Sequence, residues 1–274
     1  MNPTFHLPAA SVVIPDLGLP LYATIGALEL VHKESSLPDD LSKNYPLADH
    51  DAHARSVAAD AYWKQIRRTV NGEPVSEAQI ALIVNAITRA LSLKREDVIL
   101  DLACGNGALS SYLFGKCAGL VGVDISPYLI EVAQRVFSRS PNYRFCRDDM
   151  LSYVLHSRDT SRFTKVLIYG ALQYISRNDA IRVLKAFNER FPAVAKVFVG
   201  NLPNRRLVDR FYRDRTPKET ELNDHEARVG VWYLPEEFEA MARAAGWQTS
   251  CSYMPADFYA SSYRFDVTLE RPGS

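Results

Sequence analysis

The stretch DLACGNGALS, residues 101–110, follows the apolar run VIL at 98–100. An apolar run that ends in an acid and opens onto Gly105 and Gly107 reads as a buried strand, a tight turn and the start of a helix. Loops at the carboxyl ends of strands in open α/β sheets are where ligands bind. The dinucleotide fingerprint is G-x-G-x-x-G, and here its third glycine place holds Ser110. Asp124, 19 residues beyond Gly105, suits the ribose contact of that fingerprint. Asp101 does not suit it, because it would face a doubly anionic pyrophosphate in a poorly hydrated turn.

Outward from this loop, short apolar runs alternate with amphipathic stretches. DVILDL (97–102), GLVGVD (119–124), NYRFC (142–146), KVLIYG (165–170) and AKVFVG (195–200) read as buried strands, each followed by a helical or mixed segment. This alternation predicts an α/β fold with a doubly wound, Rossmann-like sheet, mostly parallel. Ser126 with Pro127, and Ser176 with Asp179, mark two helix starts. The tail changes rhythm: PEEFEAMARAAG is a helix ending at Gly246, and WQTSCSY and SYRFDVTLE follow as strands. Their linker, MPADFYAS, is too short for a parallel crossover, so the C-terminal pair is antiparallel and the sheet has seven strands.

Upstream, residues 1–48 are irregular and punctuated by proline. From Asp49 to about Val70 the spacing of Ala58, Tyr62, Ile66 and Val70 predicts one helix, capped by Asp49 or Asp51. NGEP makes a turn, and Ser76 with Gln79 forms a capping-box pattern for a second helix over 77–92. The division expected is an N-terminal extension with a helical lid (1–75) and a main domain (76–274), with an acceptor-binding insertion at about 201–230.

Composition excludes several classes. Lys plus Arg and Asp plus Glu number 32 each in 274 residues, so no global basic field exists to hold nucleic acid. Cys104, Cys117, Cys146 and Cys251 show no C-x-x-C spacing and read as reduced thiols, not as a disulfide or metal framework. No run reaches the roughly 18 apolar residues of a membrane span, and the start lacks the basic residues of a signal peptide. The expectation is a cytoplasmic protein without membrane, nucleic-acid or metal partner.

S-adenosylmethionine carries an ammonium, a carboxylate and a sulfonium but no phosphate. A carboxylate at Asp101 favours its cationic end, the glycines let the backbone approach it, and Asp124 accepts from ribose hydroxyls. Asp101 therefore favours this ligand over a nicotinamide dinucleotide. VILDLACGNGALSSYL followed by GLVGVDISPYLIEVA resembles motifs I and II of the class I S-adenosylmethionine-dependent methyltransferases, small-molecule type. CRDDM (146–150) resembles the acidic end of strand three in that family, with Asp149 before Met150 the better match and Asp148 its rival. YGALQY (169–174) resembles the segment that faces the methyl donor and acceptor. The resemblance covers about residues 75–270. It implies S-adenosylmethionine as cofactor, held by Asp101, Ala103, Cys104, Gly105, Asn106, Gly107, Asp124, Ile125, Asp149, Met150 and Tyr169. Ala103 departs from the family's usual glycine, so a negative φ is expected there.

The resemblance further implies methyl transfer to O or N of a small metabolite. YGALQY is not the D/N-P-P-Y/F loop of base amino-methylation, no Pro-Cys dipeptide is present, and the segment lacks the clustered acids of metal-dependent transfer. The WKQIRRTVNGEPV flank loosely resembles methyltransferases of surface polysaccharide or secondary metabolism. Candidate acceptor contacts are Trp63, Arg68, Gln173, Tyr174, Arg206 and Tyr212. The basic excess between Arg205 and Lys218 either receives an anionic acceptor or is a solvated, ion-paired face. Tyr174, His50, His53 and His225 are candidate bases, although in-line transfer needs mainly positioning. Tyr62, Trp63, Arg67 and Arg68 are expected on the lid, the arginines toward a methionyl or acceptor carboxylate; plain core packing is the rival reading for the two aromatics. The alternatives are a nicotinamide-dependent oxidoreductase and a non-catalytic S-adenosylmethionine-binding module.

Overall fold

A computed structural model describes residues 47–273; of the irregular stretch read at 1–48, all but its last two residues lie outside them. At the centre is a seven-stranded sheet in the order Tyr143–Arg147, Gly119–Asp124, Val98–Leu102, Lys165–Tyr169, Lys196–Pro203, Arg264–Glu270 and Gln248–Ser252. Five strands are parallel: β3 (Val98–Leu102), β4 (Gly119–Asp124), β5 (Tyr143–Arg147), β6 (Lys165–Tyr169) and β7 (Lys196–Pro203). The last strand, β9 (Arg264–Glu270), inserts antiparallel between β7 and β8 (Gln248–Ser252). The predicted doubly wound architecture is the one observed.

Alternate residues of each strand feed two cores. Leu100, Val121, Val166 and Val197 pack under α6 (Met150–His156), α7 (Arg177–Arg190) and α10 (Pro235–Ala244). Ile99, Leu120, Leu167 and Phe198 pack under α3 (Glu77–Ala90) and the short helices α4 (Ala108–Ser111) and α5 (Pro127–Val132). A sheet covered on both faces leaves its strand ends as the open edge, and that edge is where the site forms.

Helix starts follow local chemistry. Ser126 Oγ accepts from Leu129 N at 3.2 Å with Pro127 at the first helical place, and Ser176 Oγ accepts from Asp179 N at 3.1 Å. At α3 only half of the expected capping box forms. Ser76 Oγ accepts from Gln79 N, but the Gln79 side chain reaches away, donating to Asp257 O at 2.9 Å and accepting from Tyr259 N at 2.9 Å. It fastens the loop before β9 instead of the helix end.

The largest departure lies at 49–70. In place of one helix there are α1 (Leu47–Ser56), α2 (Tyr62–Gln65) and a hairpin, β1 (Thr69–Val70) with β2 (Glu73–Pro74). Gln65 Nε2 donates to Ala58 O and Ala59 O, at 3.2 and 3.1 Å, which holds the chain bent back between the helices. Arg67 at φ 53 ends the helical run. Asn71 and Gly72, both at positive φ, turn the hairpin. Asp49 and Asp51 fall inside α1 and so do not cap its start. Asp51 Oδ1 instead accepts from Ser126 Oγ at 2.6 Å and Tyr128 N at 3.1 Å, which ties α1 to the start of α5.

Candidate active site

A cavity of about 280 Å³ opens at the carboxyl ends of β3, β4 and β6 and beside the end of β7. Its walls also include His50, residues 65–69 and Tyr259, Ala260, Tyr263 and Arg264. No metal-ligating cluster of three or more His, Cys, Asp or Glu occurs among the described residues.

The glycine loop forms one wall. Asp101 is buried, and its Oδ2 accepts from Ser110 Oγ at 2.6 Å. Burial pushes its carboxyl up to about 7; Asp124 adds to the rise, while the Ser110 hydroxyl and Arg68 oppose it. Asp124 is also buried and raised by desolvation, against the hydrogen bonds of two backbone amides. Its Oδ2 accepts from Gly105 N at 2.8 Å and its Oδ1 from Ser126 N at 2.9 Å, so this carboxylate shapes both the β3 and the β4 loops.

Ala103 stands at φ 57, against the negative value expected. The chain leaves β3 through a left-handed residue here whatever the side chain, and Cys104 N, donating to Val123 O at 3.1 Å, fixes the next residue to β4. Gly105 also has positive φ, and a Cβ there would lie 2.9 Å from Ile66 Cγ2. The loop and the segment above it are therefore packed against each other.

Of the residues expected to hold a cofactor, Asp101, Ala103, Cys104, Gly105, Asp124, Ile125 and Tyr169 line the cavity. Asn106 lies beneath the covering segment, donating to Tyr62 O and Gln65 Oε1. Gly107 caps α4, and Met150 is core. Asp149 Oδ1 accepts from Ser152 N at 2.8 Å and caps α6, and Asp148 Oδ1 accepts from Asp149 N at 2.8 Å. Neither acid lines the cavity.

Of the acceptor candidates, Arg68, Gln173 and Tyr174 line the cavity. Trp63 does not; it tilts against Tyr112 at 6.0 Å, and Tyr62 packs edge-on against Phe137 at 5.2 Å. The two aromatics therefore hold the covering segment down, while Gln65, Ile66, Arg67 and Arg68 face the cavity.

Tyr212 packs with Phe211, Trp232 and Leu222 in a third small core, its Oη donating to Glu221 Oε1 at 3.1 Å. Arg206 pairs with Glu236, Arg205 with Glu219 and Arg215 with Glu221. Three cations of the basic stretch are thus engaged in ion pairs with partners outside it, and of residues 201–230 only Asn201 lines the cavity.

Among the candidate bases, His50 packs edge-on against Tyr174 at 5.2 Å between ring centres, and both line the cavity. Tyr174 Oη donates to Arg228 O at 3.3 Å. His53 Nε2 lies 2.9 Å from Lys64 O, and neither His53 nor His225 lines the cavity.

Sequence reading missed Asn201, Tyr259, Tyr263 and Arg264. No motif marks them; Asn201 alone stood at a readable place, directly after the strand read at 195–200, and it lies within β7. Arg68 Nε and Nη1 are buried without a hydrogen-bond partner, its guanidinium 4.9 Å above the Tyr169 ring. Two buried carboxylates, a close-approach glycine turn and an unanswered guanidinium fit a ligand carrying cations, hydroxyls and a carboxylate.

Residues 99–190 match the family model of a methyltransferase domain. The chain is 32% identical over 96 residues to the putative methyltransferase YqeM of Bacillus subtilis, covering 35% of this chain and 38% of that protein. It is 25% identical over 71 residues to a probable ribosomal RNA small subunit methyltransferase A of Methanopyrus kandleri, covering 26% of each. The chain spans well under half the length of these curated relatives. A solved structure titled DhpI-SAM-HEP complex superposes with a TM-score of 0.56 at 16% identity, covering 82% of this chain and 95% of that one. Motif, strand order and family model agree on a methyltransferase domain over residues 99–190, within a fold shared with solved S-adenosylmethionine complexes.

Proposed function

We propose that this chain binds S-adenosylmethionine and transfers its methyl group to an oxygen or nitrogen of a small molecule. The observation that carries the proposal is the cavity lined by Asp101, Asp124, the Gly105 turn and Arg68, whose Nε and Nη1 lack hydrogen-bond partners. When bound, S-adenosylmethionine supplies an electrophilic methyl group, and the sulfur keeps the electron pair of the broken bond. Asp101 then serves the cationic end, Asp124 the ribose hydroxyls and Arg68 the methionyl carboxylate. Solved complexes with this fold, that of DhpI among them, contain the same cofactor.

The segment from His50 to Thr69 acts as a lid, excluding water from the reacting atoms and desolvating the attacking lone pair. Tyr169 at the end of β6, and Gln173 and Tyr174 after it, stand on the acceptor side. Positioning does most of the work, and His50 beside Tyr174 is the pair best placed to take a proton. A small acceptor accords with a cavity roofed by the chain's own residues.

Calorimetric titration with S-adenosylmethionine, S-adenosylhomocysteine and NAD tests the cofactor. Micromolar binding of the first two is expected; binding of NAD alone overturns the proposal. Release of S-adenosylhomocysteine is then measured against small acids, phenols and amines, and separately against small-subunit ribosomal RNA. Turnover on the RNA alone would replace the small-molecule reading.

A further inference from the structure

Seven described residues carry a buried side-chain nitrogen or oxygen with no hydrogen-bond partner, and five of them line this cavity: Arg68, Tyr169, Gln173, Asn201 and Arg264. Each such group is costly to leave unanswered. Their concentration in one cavity points to a polar ligand that answers them. Arg68 belongs with the cofactor reading above. The remaining four share the other part of the cavity wall: Tyr169 and Gln173 come from the segment expected to face donor and acceptor, and Asn201 and Arg264 are the two that motif reading did not anticipate.

That wall is built by contact. Gln173 Nε2 donates to Gly170 O at 3.0 Å, which leaves its Oε1 unanswered. A Cβ on Gly170 would stand 3.3 Å from Asn201 Nδ2. Arg264 Nη1 donates to Asn201 O at 2.8 Å. Asn201 holds a left-handed backbone, φ 64, where the pairing of β7 with β9 shifts register between Val199 and Leu202. Asp266 Oδ1 accepts from Asn201 N at 2.7 Å and pins that bulge. Bulges and left-handed non-glycine residues of this kind re-aim side chains beside sites.

Arg264 is held on two sides and open on the third. Its guanidinium lies 4.8 Å from the Tyr263 ring centre and is tethered by the Asn201 carbonyl, yet Nε is buried and unpartnered. No ion pair of Arg264 occurs among the described residues; Asp266, two places along the strand, serves the Asn201 amide instead. A guanidinium fixed in this way is pre-organised for an anionic oxygen. Gln173 Oε1 and Asn201 Oδ1 need N–H or O–H donors. Tyr169, Tyr259 and Tyr263 also line the cavity.

We propose that the methyl acceptor is a small flat acid, a carboxylate bearing an amino or hydroxyl group, and that Arg264 determines its specificity. The carboxylate meets Arg264, the amino or hydroxyl hydrogens go to Gln173 and Asn201, and the flat body lies among the tyrosines. This inference rests on the methyltransferase reading.

The test uses the full chain saturated with S-adenosylhomocysteine and two probes of one shape, 2-aminobenzoate and its neutral amide, 2-aminobenzamide. The acid should bind at least about tenfold tighter than the amide. Arg264→Gln should weaken the acid about 30-fold and erase the preference, with the affinities of the amide and of S-adenosylhomocysteine changed less than about threefold. Should Arg264→Gln fail to fold, Arg264→Lys keeps the charge without the planar fork and should bind the acid at least about fivefold more weakly at unchanged S-adenosylhomocysteine affinity. Equal affinity for acid and amide, no binding of either, or a preference that survives both substitutions overturns the inference while leaving the cofactor reading intact. Failure of the wild type to bind S-adenosylhomocysteine removes both.

Discussion

Asn106 Nδ2 lies 2.9 Å from Gln65 Oε1 and 2.8 Å from Tyr62 O, so one buried amide ties the glycine loop to the segment folded over it. Asn106 is fully buried and Gln65 nearly so, which makes the loss of either partner costly. Gln65→Ala and Asn106→Ala should each weaken S-adenosylmethionine about tenfold, mainly through faster release. Stopped-flow dissociation measures this. Unchanged release in both variants would separate the lid from cofactor retention.

Asp101 gives the site a pH signature. Burial lifts its pKa from 3.8 to about 7 in the ligand-free fold. The folded value lies above the unfolded one, so the protonated carboxyl contributes stability that is complete below the unfolded value and is lost as pH rises through about 7. A cation bound beside it favours the ionised form, so affinity for S-adenosylmethionine should rise about tenfold between pH 6 and pH 8. In Asp101→Asn that slope should vanish, with affinity at pH 8 lower by about a hundredfold. The ligand-free variant should melt higher than wild type at pH 8, by roughly 4–8 °C. Calorimetry and melting curves across this range decide the point; an unchanged slope in the variant would assign the titration elsewhere.

The turn after β3 answers differently at its two ends. Ala103 carries a left-handed backbone that glycine adopts without strain, so Ala103→Gly should leave the chain about 0.5 kcal/mol more stable after the added freedom of the unfolded chain is counted. Gly105→Ala meets both a positive φ and the Ile66 methyl group, and should destabilise by about 1–3 kcal/mol. Urea unfolding of the two variants side by side measures the contrast; equal shifts of one sign would contradict this account of the turn.

The ion pairs of the basic stretch lie at the surface. Arg205→Ala, Arg206→Ala and Arg215→Ala should each leave the melting temperature and turnover close to wild type, since exposed pairs gain little over hydration. A large loss of turnover in any one of them would return that arginine to the acceptor site.

The sheet was legible because its signal is local. Each apolar run is buried by its own composition, and Asp101, Gly105 and Asp124 sit where a strand must end and a chain must turn. Their chemistry needs no distant partner to be recognised. The residues that tertiary structure alone decided are those whose partners are remote. Nothing in the apolar spacing of 58–70 shows that Gln65 will take two backbone carbonyls and bend the chain back. Nothing in the run of arginines shows that Arg205, Arg215 and Arg206 will pair with Glu219, Glu221 and Glu236. Asp149 looks the same in sequence whether it meets a ligand or caps α6, and its hydrogen bond to Ser152 N is visible only in the fold. Asn201 and Arg264 meet because β9 inserts beside β7, and the register shift there turns both toward the cavity. Sequence by itself determined the sheet, the glycine loop and the acids at its edge; strand insertion and long-range hydrogen bonding decided which other side chains reach the cavity, because those contacts are set by pairing across the sheet and not by neighbours along the chain.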